Sequence, residues 1–327
     1  QWQAARRRRL VSRPALSTRS GRGQPDAQRD DTLLAIGMLA PAVLFIVLLV
    51  GLPFGLAIYY SLHDVTTGGT TPRWVGLGNF ASLLGDNTFQ TSLRNSFVFT
   101  FSTLIAVLVL ATIQAELLMR EFRGKWLVRF LILLPWTAPV ALGLIGWLWM
   151  FDSVFSPIDW LLRQVGLLGS PGAPLGALPN LYWLGDKTLA MVSVVLVNVW
   201  RLLPLATVIV LAGLNSIPRD VIEQSRIDRA GYLRRLFDIT LPMLSPILLI
   251  AILFTFVFTF GDMISIFILT RGGPANTTQV LPSMAFFTGI LGGNLGRGAA
   301  VALFMLPALA GMSALLLRLV RRSEVTT

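Results

Sequence analysis

The amino-acid sequence predicts an all-α integral membrane protein with six transmembrane helices, on three observations. Hydrophobic residues make up 54% of the 327 residues and charged residues only 13%, against about 25% charged in a soluble domain. Mean hydropathy is +0.70. Six stretches reach the roughly 20 mainly apolar residues that a span needs, and Lys and Arg concentrate in alternate connections between them.

The elements follow in order. Residues 1–32, which include "ARRRRL", are basic and rich in Gly, Ser and Pro. They lack the apolar core of a signal peptide and read as a mostly disordered cytoplasmic tail. The first span, about 33–60, leads into an external segment ending at residue 94. Within it "WVGLGNFASLLGDNTF" (74–89) reads as an amphipathic surface helix. A core domain of five spans fills 95–320, with spans at about 95–118, 126–150, 188–212, 243–266 and 297–318. Residues 321–327 form a C-terminal cytoplasmic tail. Pro41, Pro53, Pro135, Pro139, Pro204 and Pro307 fall inside spans, where packed membrane helices tolerate them. Trp74, Trp160 and Trp183 suit interfacial anchors of the outer loops.

Charge sets the orientation. Twenty Lys and Arg residues lie in residues 1–32, the connections 119–130 and 213–242 and the C-terminal end from Arg318 onward, and six lie in the other three loops. Both termini are therefore expected in the cytoplasm. The net charge of +11 is explained by this asymmetry, and nucleic acid is not an expected partner. The absence of cysteine and the single histidine, His63, exclude disulfides, thiolate sites and a histidine metal cluster.

Between the fourth and fifth spans lies "EQSRIDRAG" (223–231), charged among apolar neighbours. Ser216 and Pro218 suit a helix start. Ile222, Arg226, Ala230, Leu233 and Phe237 then form one stripe, with Glu223, Asp228, Arg234 and Arg235 off it. A helix of about 217–240 is expected, ending before Pro242. On the residues alone it is a solvated loop, a helix on the headgroups or a docking element.

The order of residues favours docking. "EQSRIDRAGYLRRLFDITLP" resembles the coupling motif of ABC importer permeases: Glu-Ala-Ala, three residues, Gly, nine residues, Ile-x-Leu-Pro. Glu223, Asp228, Ile239, Leu241 and Pro242 fall in register. Gln224 and Ser225 replace the alanines, and Arg229 stands at the motif glycine. "PAVLFIVLLVGLPFGLAIYYSLHD", "VGLGNFASLL", "LNSIPRD" and "ILTRGGPANTTQ" extend the likeness from about residue 35 to the end. "GGPANTT" is similar to the maltose-type first permease of carbohydrate-uptake systems. The resemblance implies the type I importer fold and docking of an ATPase through Glu223, Arg226, Asp228, Arg229, Ala230, Gly231, Leu233 and Phe237. It also implies a second homologous permease subunit, two ATPase subunits carrying ATP and Mg, an extracytoplasmic solute-binding protein and a bacterial plasma-membrane location. No cofactor is expected on this chain.

Polar groups inside spans are costly and mark candidate pathways. Span five carries Thr255, Phe258, Thr259 and Asp262 at i, i+3, i+4 and i+7, one helix face. Span four carries Asn198, Arg201, Leu202 and Leu205 with the same spacing. The resemblance implies that both faces line a sugar pocket. Hydroxyls, an amide and an aromatic ring suit a polyol, although threonines in helices also bond back to their own backbone. Arg201 either pairs with Asp262 or holds an anionic group, as a glycerophosphate or other polyol phosphate would need. The chain has no phosphate-binding G-x-x-x-x-G-K-[ST] loop and is expected to be a transport subunit, not an enzyme. An ion-coupled transporter is the other reading, with Glu116 and Asp262 the sparse carboxylates for a relay. A membrane enzyme would need clustered acids or a metal site, which the sequence does not display.

Overall fold

In the computed structural model, residues 25–69 and 71–325 are described; the side chains of residues 25–33, 219, 226 and 323–325 are not. Most of the basic tail (1–24), residues 326–327 and the Arg226 side chain thus lie outside the described residues. The chain divides into two compact units, one reaching Gly55 and the other starting at Leu56. Among the described residues, five helices are long and apolar enough to cross a membrane, or six with one bent pair counted as a span.

Helix α1 (Pro25–Ile46) passes through a π turn at Val47–Gly51 into α2 (Leu52–Ser61). The helical run starts eight residues before the expected boundary, so 25–32 are helical and not part of a disordered tail. The π turn has a local cause. Proline cannot donate to the preceding turn and its ring crowds the carbonyl four residues back. Widening that turn immediately before Leu52-Pro53, with Leu52 N–H reaching Val47 O, gives the ring room.

After α2 comes a pair of two-residue antiparallel strands, β1 (His63–Asp64) and β2 (Arg73–Trp74). The expected surface helix over 74–89 is interrupted. Helix α3 (Gly78–Leu84) stops at Gly85, and Asp86 starts α4 (Asn87–Met119) by accepting from Thr88 N at 2.7 Å. Span two therefore begins eight residues earlier than its hydropathy suggested. Helices α5 (Lys125–Thr137) and α6 (Val140–Met150) replace the straight third span and meet at 98°. The break falls where it should: Ala138 precedes Pro139 and is extended (φ −69°, ψ 145°), as a residue before proline prefers. Helix α7 (Pro157–Gln164) and a long loop follow. Trp183 does not behave as an interfacial anchor. It packs on Phe151 at 5.4 Å and donates Nε1–H to the buried Asp159 at 2.9 Å, whereas Trp74 and Trp160 are exposed.

Helix α8 (Lys187–Ser216) is the fourth span. Its cap, Asp186, accepts from Leu189 N and Thr188 N. Those two bonds, Leu189's the larger, hold its carboxyl below the usual aspartate range. A lowered folded-state value means the cap's contribution is present above the ordinary range and is lost only as pH falls through the lowered value. Helix α9 (Arg219–Ile227) follows, then α10 (Tyr232–Arg235), a π turn at Leu236–Thr240 and α11 (Leu241–Phe260). The last three form one continuous apolar run, Tyr232–Phe260. Pro242 thus does not end a helix: Leu241 N–H reaches Leu236 O, the same widened turn before Leu-Pro as at Pro53. Beyond a break at 261–263 come α12 (Ile264–Leu269), α13 (Leu281–Phe286) with a π turn to Leu291, and α14 (Leu295–Val325). The expected C-terminal tail is helical as far as Val325.

The core holds α4, α8, α11 and α14 together. Val107, Ala111 and Ala115 of α4 pack on Val199, Leu202, Ala206 and Val210 of α8 and on Leu244 of α11. Phe89, Phe256, Phe260, Leu281, Ala300 and Val301 form a second cluster around α11, α13 and α14. Small residues set the close approaches, as expected where dispersion and not the hydrophobic effect joins helices. A Cβ on Gly298 would lie 2.4 Å from Gly289 Cα and 2.7 Å from Gly289 N, and backbone cannot rotate away. Gly298→Ala is therefore expected to lower stability by roughly 1–3 kcal/mol, read as a fall in the thermal midpoint of the detergent-purified protein. Gly311→Ala, with nothing within 4 Å, serves as the neutral control.

Candidate functional site

The polar faces of spans four and five meet. Asn198 is fully buried, and its Nδ2 donates to Thr259 Oγ1 at 3.1 Å. Asn198 Oδ1 accepts from Arg201 Nη2 at 2.8 Å, and the same nitrogen donates to Asp262 Oδ2 at 3.0 Å. The second oxygen of Asp262 accepts from Ile264 N at 3.1 Å and Ser265 N at 3.3 Å. One carboxylate thus neutralises span four's guanidinium and holds the first turn of α12. Side-chain exposure is 13% for Arg201 and 3% for Asp262, so neither charge is left to water. Of the two sequence-level alternatives for Arg201, pairing is the one the geometry adopts. Thr259 bonds across the helix pair instead of back to its own backbone.

The remaining members of the two faces divide. Leu202 and Thr255 are buried, and Leu205 is half-buried. Phe258 is 44% exposed and meets Trp136 of α5 edge to face, ring centroids 5.8 Å apart. A cavity of about 340 Å³ is lined by Arg201, Leu202, Phe258 and Asp262, together with Trp136 and Val140. Arg201 Nε is buried beside it without a hydrogen-bond partner. The bend at Pro139 is what turns α6 away from α5 at the level of this cavity.

The coupling segment departs from the expected single helix. Helix α9 ends in a left-handed cap: Ala230 N bonds Ser225 O at 3.0 Å, five residues back, and Arg229 has φ 54°. This is the pattern that normally places glycine after a helix. It accounts for the motif glycine, and for the cost of about 1–2 kcal/mol that a side chain meets at Arg229. Because the axis changes at 228–231, Leu233 and Phe237 do not continue the stripe of Ile222 and Ala230. Glu223, Asp228, Arg229, Gly231, Leu233 and Phe237 are exposed, and Ala230 is half-buried.

Several contacts were not legible in the sequence pattern. Asn95, an amide at the start of an apolar run, donates to the carbonyls of Asn276, Thr277 and Gln279 at 2.9–3.1 Å. It thereby binds the "GGPANTT" loop to α4. The available signal was its place with Ser92 and Ser96 at i−3 and i+1, a polar group at the head of an apolar run. Gln114 accepts from Thr207 at 2.9 Å between α4 and α8. Asp86 pairs with Arg297, and the Tyr232 hydroxyl donates to Glu116. Glu116 is thus engaged with a neighbouring side chain, and no group of three or more His, Cys, Asp or Glu able to hold a metal occurs among the described residues.

Comparison with known proteins places this architecture. The family described as "binding-protein-dependent transport system inner membrane component" matches residues 108–325. The chain belongs to this family. The permease is 32% identical over 288 residues to the probable ABC transporter permease protein y4oQ of Sinorhizobium fredii, covering 87% of this chain and 89% of that one. It is 28% identical to the trehalose/maltose transport system permease protein MalF of Thermococcus litoralis, over 81% of this chain and 86% of the relative. It is also 28% identical to the sn-glycerol-3-phosphate transport system permease protein UgpA of Agrobacterium fabrum, over 87% and 94%. A bacterial ABC transporter that imports the acidic polysaccharide alginate shares the fold, with a TM-score of 0.73 over 91% of this chain and 97% of that one at 17% identity. The permease is an all-α, multi-pass inner-membrane protein of the ABC importer class.

Removing one member of a buried ion pair strands the other, at about 3–5 kcal/mol. Arg201→Met is therefore expected to lower the denaturation midpoint of the purified permease sharply. Arg201→Met/Asp262→Asn should recover most of that loss. Equal loss in the single and double variants would show that the pair does not hold the two spans.

Proposed function

We propose that this permease forms half of the translocation pathway of an ATP-driven importer for a sugar or sugar-like solute, and that spans four and five line its pocket. The observation that carries the reading is the network Asn198–Arg201–Asp262–Thr259 beside the cavity under Phe258. Hydroxyl and amide groups can bind sugar hydroxyls, and an exposed aromatic ring can stack on a sugar face. Relatives named for trehalose/maltose and for sulfoquinovosyl glycerol support this substrate class. The relative named for sn-glycerol-3-phosphate supports the phosphate-bearing alternative. The pairing of Arg201 with Asp262 favours an uncharged polyol, since a phosphate in this cavity would have to compete with a carboxylate 3.0 Å from the guanidinium.

The assembly follows from the same reading. An extracytoplasmic binding protein delivers the solute, as supported by an alginate transporter solved in complex with a pentasaccharide-bound periplasmic protein. A second permease subunit completes the pathway. Two ATPase subunits bind ATP and Mg and close on the segment 219–231 at the cytoplasmic face, where both termini also lie. Glu223, Asp228 and Arg229 form the polar side of that contact, and Leu233 and Phe237 its apolar continuation across the bend. No cofactor resides on the permease, and its role is transport and not catalysis.

Two measurements test this. Proteoliposomes holding the assembled importer should accumulate a neutral disaccharide or glycoside that its binding protein binds, and should leave sn-glycerol-3-phosphate outside. The reverse preference would assign the pathway to phosphates. Reversing the charge at the cap with Arg229→Glu should reduce uptake by about tenfold or more if Arg229 meets a carboxylate on the ATPase. Unchanged uptake and unchanged solute-stimulated ATP hydrolysis would remove that contact.

A further inference from the structure

A second cavity, of about 380 Å³, lies where the end of α4, the end of α8 and the start of α10 come together. Its lining combines Arg120, Arg235, Tyr232 and Glu116 with the apolar side chains of Leu214 and Ile217. The lone carboxylate there, Glu116, is taken by the Tyr232 hydroxyl. Arg120 and Arg235 enter no ion pair among the described residues. The cavity therefore holds two uncommitted guanidinium groups and a net positive charge. Its place in the fold is equally specific. The apolar runs Asn87–Met119 and Lys187–Ser216 end at it and Tyr232–Phe260 begins at it, so it sits at a membrane–water boundary.

We propose that this cavity binds the headgroup of an anionic phospholipid. A phosphodiester offers guanidinium groups the forked acceptor geometry they match best, and a basic pocket between helices at the boundary is a suitable receptor for such a headgroup. The apolar wall decides between a lipid and a free anion. Leu214 and Ile217 offer nothing to inorganic phosphate, but they offer the first part of an acyl chain a surface beside its headgroup. The bound lipid bridges α4 to α10, the first turn of the helix that carries motion from the coupling segment into span five. The lipid would so couple membrane composition to the stiffness of that joint.

The test is native mass spectrometry of the full-length permease in detergent, with any co-purifying subunits retained, after addition of phosphatidylglycerol or phosphatidylcholine. The expected result is a phosphatidylglycerol adduct preferred over phosphatidylcholine. Arg120→Gln/Arg235→Gln should weaken that adduct roughly 25-fold, at about a fivefold loss per arginine near a charged headgroup. Arg120→Lys/Arg235→Lys, which keeps the charge, should retain the preference and shows that any loss is not misfolding. Equal retention of both lipids by the native chain, or an unchanged preference in the glutamine variant, would overturn the proposal. Displacement of phosphatidylglycerol by millimolar inorganic phosphate would also overturn it and assign the cavity to a free anion.

Discussion

The buried pair of Arg201 and Asp262 is the interaction on which the arrangement of the permease depends. Each charge would be prohibitive alone inside a span, and each is acceptable because the other lies 3.0 Å away with Asn198 and two backbone amides completing the set. Satisfying Asp262 requires the helix to stop at Phe260 and turn, since its second oxygen holds the start of α12. The break after span five, the approach of α8 to α11 and the position of the cavity are consequences of one electrostatic constraint. Of this cluster, Arg201 Nε is the buried nitrogen that keeps no hydrogen-bond partner among the described residues.

The same economy governs the backbone. Proline appears in the sequence as a helix stop, and at Pro139 it is one: Ala138 is extended and the third span bends by 98°. At Pro53 and Pro242 it is not. A π turn ending one residue before Leu-Pro makes room for the ring, and the helix continues. At Pro242 this has a mechanical consequence. The segment is not separated from span five by a stop at Pro242; the helix from Tyr232 is continuous, and the break from α9 falls at 228–231, around the left-handed Arg229. In the proposed importer, motion imposed on α9 would reach span five through one short joint.

Much of this was legible in the sequence. Composition and hydropathy placed the spans, because the bilayer demands long apolar runs whatever the packing. Helical spacing placed Asn198 and Arg201 on one face and Thr259 and Asp262 on the other, and left two partners open for Arg201. What spacing cannot carry is the choice between local solutions of similar cost. Whether Leu-Pro ends a helix or widens a turn depends on one carbonyl. Whether 217–240 is one helix or two depends on the φ of Arg229, a residue whose identity argues against the conformation it adopts. Trp183 looked like an interfacial anchor because its indole suits one; its actual partner, Asp159, lies 24 residues earlier in the chain and could be found only in three dimensions.

The permease has no cysteine, so its pathway can be mapped by single introduced thiols without altering the background. On the proposed function, the faces meeting at Arg201 and Asp262 line the route of the solute. Phe258→Cys, in the assembled importer, should react with a membrane-impermeant maleimide and be protected when the binding protein and its solute are present. Leu196→Cys, exposed at 42% on the same span as Arg201 but on the opposite side of the helix, should show no protection. Labelling of Phe258→Cys that is absent, or that is indifferent to solute, would place that face against lipid and contradict the account.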